Sequence, residues 1–503
     1  MNCQAASFQS LFGLLWIYIC LNSGPFCYWN RYPYLVRDIG NVFALKVGRE
    51  VVFVFFILTI VSVSFTLLNV RLVQAEILQS HPPILISSDS GFTSENGVTR
   101  GSGTVSDPYV IEGWEIASAP GPAIQVLETH VYFVIREVYV HSSLPLSGYV
   151  GVVEFERVAN GRIENSTISN NSRDVGVLIQ YSTNITIAQS KFESNQGSGV
   201  GVNFSQNVNV TDNIVRSNHV GIFVGQGGRN VEVVGNDVSS NADNGISVVY
   251  ASVIVSGNNV HNNGFSGYNG QGIVAGRRCE CLIMENTVLN NRIGIAVYSG
   301  FSPFHNNFID NTIQAYAGCP YGECLWTWDR GYPNGGNFWS DYGGVDNCSG
   351  PYQSVCPRPD GIGDSPYITD FNPGFVRNST DRFPLMKPFA PAVSGTVRLE
   401  PGSITPQSDS RYLTAVVGLP QGYTAMNLIR SSIRLDGTIA GASGPVISQP
   451  NGARVLVVRF NMTQVRLVLS TPGSYLLELR GNLLTSTNFR PFEATATLQF
   501  LSV

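Results

Sequence analysis

Charge is scarce in this chain. Asp, Glu, Lys and Arg make up 13% of its 503 residues, and 30 basic residues face 35 acidic ones for a net charge of −5. No basic stripe offers a nucleic-acid face, and no acidic run marks a solvating disordered tail. Nucleic acid is therefore excluded as a partner. Methionine is missing between Met1 and Met284, so a start at a non-Met codon near Val42 or Val47 is expected. What is plentiful is glycine, with 52 residues, the mark of a turn-rich protein. At this length two or three folded units are expected.

One long run lacks charge altogether: VVFVFFILTIVSVSFTLLNV, Val51 to Val70. Lys46 and Arg49 precede it and Val73-Gln74-Ala75 follows, the positive, apolar, small-residue order of an export signal. The run is also long enough to span a bilayer. Two outcomes stay open: cleavage after Ala75, giving a secreted protein, or retention of residues 51–70 as a membrane anchor. Both make residues 1–75 an N-terminal extension and place the rest outside the cytoplasm.

Six cysteines follow that segment: Cys279, Cys281, Cys319, Cys324, Cys348 and Cys356. An even number in an exported chain favours disulfides. Zinc is disfavoured because no histidine sits close in sequence to the CxC or Cx4C pairs.

Residues 150–313 repeat. Anchored on Asn171, Asn195, Asn218, Asn241, Asn263, Asn291 and Asn311, the units carry an apolar residue three positions earlier in every case: Ile168, Phe192, Val215, Val238, Val260, Val288 and Phe308. Eight and ten positions before the anchor a second apolar pair recurs with strand spacing. Five before it stand Ser166, Ser190, Asn213, Asn236, Asn258, Asn286 and Asn306, and a Gly-apolar-x-apolar strand follows each of the first six anchors.

Units this short cannot bury an apolar face alone and must stack. Stacking brings equivalent residues about 4.8 Å apart, so the apolar columns form a continuous core. The asparagines can then hydrogen-bond along the stack as both donor and acceptor. The Leu-x-x-Leu-x-Leu pattern of leucine-rich repeats is missing. The expectation is an all-β chain: a parallel β-helix over 83–345, followed by a small β-sandwich.

The phrases GSGTVSDPYVIEGWEI (Gly101 to Ile116), the NxxxNN/GIxV units, and GNFWSDY, DGIGDSPY and DRFPLMKPF resemble the NosD family of secreted right-handed β-helix proteins with the pectin-lyase-like fold. The likeness runs from about Pro83 to Phe389. It implies a right-handed helix and a C-terminal cap at 346–390, here with the inserted loop NCSGPYQSVCPRP, which a Cys348–Cys356 bridge would staple. Trp326, Trp328, Phe338, Trp339 and Tyr342 are suited to covering the last rung. After a linker, residues 393–503 read as strands and turns and resemble the immunoglobulin-like modules of secreted prokaryotic proteins.

Three functions compete. The family name implies copper handling, but His219, His261 and His305 fall in turns that are not all adjacent, and Met284 is alone; soft and imidazole ligands must converge to hold copper. The fold implies a polysaccharide lyase, glycoside hydrolase or epimerase. For that chemistry Glu285 and His305, six positions before the anchor in neighbouring turns, are the strongest acid–base candidates. Glu193 lies under Arg216 as a stacked ion pair. The favoured expectation is a non-catalytic solenoid with polar, Asn-rich outer positions that binds extended glycans of the cell envelope or acts as a rigid spacer, with no cofactor required. The resemblance and the hard-oxygen chemistry of Ca²⁺ make Asp346, Asp360 and Asp364 a candidate calcium clasp, with the Ile362 carbonyl as a fourth ligand. Asp-Gly and Gly-Asp also mark turns without metal, and that reading is favoured.

Overall fold

The computed structural model describes residues 78–502, with breaks at 118–120, 142–149, 173–174, 266–269, 299–301, 319–326, 370–378, 391, 425, 449–453, 470 and 486–487. The signal-like run at 51–70 lies outside the described residues. No described helix is long and apolar enough to cross a membrane.

From Gln79 to Trp339 the chain winds as a parallel β-helix whose turns feed three sheets of 9, 11 and 10 strands. The register is the one the repeat predicts. Ile168 pairs with Phe192, and then Val215, Val238, Val260, Val288 and Phe308 follow in one column. All seven side chains are fully buried. Val140 extends the column at one end and Trp339 at the other.

The corners explain the polar positions. The residue six before each anchor takes a left-handed backbone in every unit: Asn165, Gln189, Asp212, Gly235, Gly257, Glu285 and His305. The residue just before each anchor does the same, from Asn170 to Asp310. Asn, Asp and Gly adopt this conformation most readily, hence their abundance. Glycine in the strand after the anchor answers a different need. A Cβ on Gly221 would come within 2.4 Å of the Gly245 carbonyl oxygen and 2.9 Å of the Asn241 amide nitrogen.

That contact is tight because the asparagines point inward. The expected outward asparagine surface is corrected here: both repeat columns are buried. Asn258 shows the pattern. Its Oδ1 accepts from the backbone N–H and the amide of Asn236, at 2.9 and 3.0 Å. Its own amide donates to Val233 O, Ser256 O and Asn286 Oδ1. One such ladder begins at Ser166 and passes through Ser190, Asn213, Asn236, Asn258, Asn286, Asn306 and Asn337.

The ladder ends on a carboxylate. Asp381 Oδ2 accepts the Asn337 N–H at 2.7 Å and the Trp339 indole N–H at 2.9 Å, and Oδ1 accepts from the Phe383 N–H. A terminal rung only has to accept, and a carboxyl group offers acceptor sites on both of its oxygens. Around it Trp328 and Trp339 close the core, with Trp339 stacked on Phe308 at 4.6 Å and Tyr367 stacked beyond at 4.4 Å. Of the other proposed covers, Tyr342 packs partly buried against this core and Phe338 against the neighbouring Ile362–Leu385 cluster, and Trp326 lies outside the described residues.

Residues 393–502 form a six-stranded and a four-stranded sheet sharing one apolar core, in which Leu413, Val458 and Phe460 meet Leu479, Phe492 and Leu498. A second apolar cluster of Ile362, Leu385, Phe389 and Phe489 joins this sandwich to the cap.

The buried ladder should dominate local stability. Asn236→Ala strands the Asn213 N–H and the Val210 carbonyl, whose partner Asn236 now is, and orphaned buried polar groups cost about 1–3 kcal/mol each. Asn207→Gly, at an exposed left-handed corner, should cost no more than about 0.5 kcal/mol. Urea unfolding midpoints of the two variants should separate accordingly, and equal midpoints would refute the assignment.

Candidate functional site

The cap aspartates are brought near one another, but their carboxylates are turned onto backbone amides. Asp346 accepts from the N–H groups of Asp360 and Gly361 at 3.0 and 2.7 Å. Asp364 accepts from Asn347 and Cys348 at 2.9 and 3.1 Å. Asp360 Oδ1 caps the Ile362 N–H at 3.1 Å, while its Oδ2 is buried without a hydrogen bond. Asp346 and Asp364 thus latch the two ends of the inserted loop, while Asp360 caps its own turn. Among the described residues no group of three His, Cys, Asp or Glu side chains is arranged to hold a metal ion. Burial raises the pKa of Asp346, and that of Asp360 to about 6. The structure pairs Cys348 with Cys356 across this loop and Cys279 with Cys281 in the helix wall. Cys319 and Cys324 lie outside the described residues.

Glu285 and His305 do share an edge, one strand spacing apart, about 4.8 Å, and both line a cleft of about 750 Å³ between the end of the helix and the sandwich. Arg330, Arg434 and Arg480 line it with them. His305 is committed to packing. Its ring stacks on Phe389 at 4.2 Å and meets Phe304 edge-on, and its Nε2–H donates to Asn334 O at 2.8 Å. Burial, aided by the nearby Arg330 charge, lowers its pKa to about 4, so it is neutral at pH 7. Burial also raises the Glu285 carboxyl, which forms no hydrogen bond or ion pair with a described residue. The nearby Asp329 is held by Arg382 in a bidentate pair. The arrangement is a lone carboxylate beside an imidazole whose one proton is spent on a carbonyl.

Among the described residues, the histidines and Met284 do not converge as a copper centre requires. His141 is bound to Glu115 at 3.0 Å and His261 to Asp237 at 2.9 Å, in separate turns. His219 sits at an exposed position elsewhere. Met284 lines the same cleft as His305, but these two alone fall short of the convergent set copper needs. The predicted Glu193–Arg216 pair is present at 2.7 Å.

A different edge carries the unusual chemistry. Arg157, Tyr181, Phe204, Gly227, Tyr250 and Arg278 occupy successive turns at one corner, each with positive φ. Tyr181 is 51% exposed, and Phe204 and Tyr250 are each 43% exposed. The Tyr181 and Phe204 rings lie parallel, with centroids 4.9 Å apart, and the Arg157 guanidinium covers Tyr181. Three residues further along each turn runs an exposed amide ladder: Asn184 donates to Asn160, Asn207 to Asn184 and Asn230 to Asn207, at 2.8–3.2 Å. The apolar and Asn columns of the repeat do not single out this edge. Its trace is the recurrence of aromatic-Ser-x-Asn, YSTN at 181–184 and FSQN at 204–207.

Residues 135–344 match the model of a protein family described as periplasmic copper-binding protein (NosD). The matched segment stops before the cap aspartates and the sandwich. No curated protein matches the chain. Among solved structures the chain is similar to the A-module of the Azotobacter vinelandii mannuronan C-5 epimerase AlgE6, at 15% identity and TM-score 0.28 over 47% of this chain and 86% of that one. It is also similar to the periplasmic alginate epimerase AlgG, at 11% identity and TM-score 0.28 over 65% and 83%. A mutant tailspike protein of E. coli bacteriophage HK620 is similar at 12% identity and TM-score 0.33 over 76% and 88%. Nothing about activity follows from likenesses this low.

The fully buried Asp381 gives the cap a pH signature. Burial, the dominant influence, raises its pKa to about 7 from an unperturbed 3.8, against the lowering effect of its three N–H donors. A raised carboxyl pKa means that the folded state favours the neutral acid. That stability is fully present below about pH 4 and is lost as pH rises through 7. Asp360 adds the same trend up to about pH 6. The melting temperature should fall between pH 5 and pH 8, and Asp381→Asn should flatten most of that slope. An equally steep slope in the variant would contradict the assignment.

Proposed function

Taking the β-helix as a NosD-family parallel β-helix, we propose that this protein is an exported, non-catalytic solenoid that binds extended glycans of the cell envelope along its aromatic edge. One observation carries the reading: Tyr181, Phe204 and Tyr250 are bulky, exposed and left-handed at once. A left-handed backbone costs an ordinary residue about 1–2 kcal/mol, and an exposed ring offsets little of that by burial. Asn or Gly would satisfy these corners better, so the rings are there for what they present. An aromatic face packs on the apolar face of a sugar, and the neighbouring amides suit its hydroxyls.

Export is supported by the signal-like run at 51–70, and the family description is periplasmic. Whether residues 51–70 are cleaved or serve as the anchor, the glycan edge faces the same compartment. Disulfides at Cys348–Cys356 and Cys279–Cys281 fit an oxidising one.

Binding to immobilised plant, algal and bacterial polysaccharides in affinity gels should show retardation that Tyr181→Ala combined with Phe204→Ala abolishes. The same polysaccharides should yield no reducing sugar and no unsaturated uronate. Turnover that disappears in Glu285→Gln or His305→Ala would overturn the non-catalytic reading.

A further inference from the structure

The geometry points to a ring slot on this edge, between Phe204 and Tyr250 and floored by Gly227, that takes a single pyranose ring of a glycan. The inference rests on the glycan reading above and adds where the sugar goes and how it is turned. Tyr181 and Phe204 cover one another, and Arg157 covers the other face of the pair, so that end of the column is closed. The next corner residue is Gly227, which has no side chain; a Cβ there would lie 3.2 Å from Phe204 Cδ1. Gly227 therefore adds no side chain over the Phe204 ring. Tyr250 follows one turn later, its carbonyl accepting the Gly227 N–H at 2.9 Å. Phe204 and Tyr250 are thus two strand spacings apart, about 9.6 Å. A ring seated midway would lie about 4.8 Å from each, within the range of ring stacking and suited to a chair-shaped sugar, which is thicker than an arene.

The turn that holds Gly227 also supplies unspent polar groups. The exposed amide ladder stops at Asn230, whose Oδ1 accepts from no described residue, because the following turn is shorter and enters its strand at Ser252. Arg229 is exposed, and its guanidinium pairs with no described residue. A free acceptor and a free donor thus stand beside the one gap in the aromatic column.

The orientation follows from the stack. Rings piled along the helix axis lie across it, so an intercalated sugar lies across it too. The glycan then crosses the edge transversely or enters by its terminal residue, and does not run along the ladder.

The test is titration calorimetry of the full chain with cellohexaose, chitohexaose, mannohexaose and hexagalacturonate. Gly227→Asn keeps a residue that tolerates the left-handed corner and fills the slot, and Tyr250→Ala removes one wall. Each should weaken binding of whichever hexasaccharide is bound by about tenfold or more, with an unchanged melting temperature. Wild-type affinity in both variants, alongside weakened binding in Tyr181→Ala, would overturn the slot and leave the glycan edge standing. Failure of all four sugars to bind the wild-type chain would overturn both.

Discussion

The structure depends on one constraint: an amide buried inside every turn must find its partner in the next. Each rung of the ladder from Ser166 to Asp381 satisfies a backbone N–H of the turn before it. The chain between rungs varies from 20 residues at Asn286–Asn306 to 44 at Asn337–Asp381. The hydrogen bonds therefore fix the register and not the turn length. Length differences are displaced into loops, such as the one closed by Gly264 and Gly270 between Asn263 and Asn291. A solenoid built this way tolerates insertions at its corners and almost none in its walls.

The same constraint divides the surface into places where chemistry is cheap and places where it is not. Wall positions are set by strand pairing and core packing. Corner positions are left-handed, where most side chains are strained, so the default occupants are Asn, Asp, Ser and Gly. A bulky ring at such a corner stands against the local preference, and conflicts between local preference and structure concentrate at functional sites. That contrast separates Tyr181 and Phe204 from Glu285 and His305. Glu285 also occupies a left-handed corner, but His305 beside it is stacked on Phe389 and bonded to a carbonyl, which gives that histidine a structural return.

Much of this was legible in the sequence because the repeat compares each position with itself. Seven apolar residues in one register identified the core column, and the Asn and Ser positions identified the ladders. What the repeat could not show was direction. Asparagines read as outward turned out to be buried, because an amide with several donors and acceptors met inside is as well placed there as in water. The cap was hardest to read. Asp381 was visible only within a family phrase, since its rung partner Asn337 lies 44 residues away. Asp346 and Asp364 were open to two readings because a carboxylate that latches amides and one that binds a cation look alike in sequence.

The end of the ladder also settles how the sandwich is carried. Asp381 ends the stack, Arg382 holds Asp329, and Asn307 on the last full turn exchanges two hydrogen bonds with the Phe389 backbone. From there the Phe389–Phe489 cluster passes directly into the sandwich. The module is thus joined to the helix through a buried apolar contact and not through a bare linker. The aromatic edge lies at the turns of Tyr181 to Tyr250, with complete turns on both sides that hold its corners in place. Rigid walls reduce the ordering cost of binding. A slot framed by two rings on such a scaffold is preorganised for its ligand, and that is the physical reason to seek recognition in the middle of the solenoid and not in the cleft at its end.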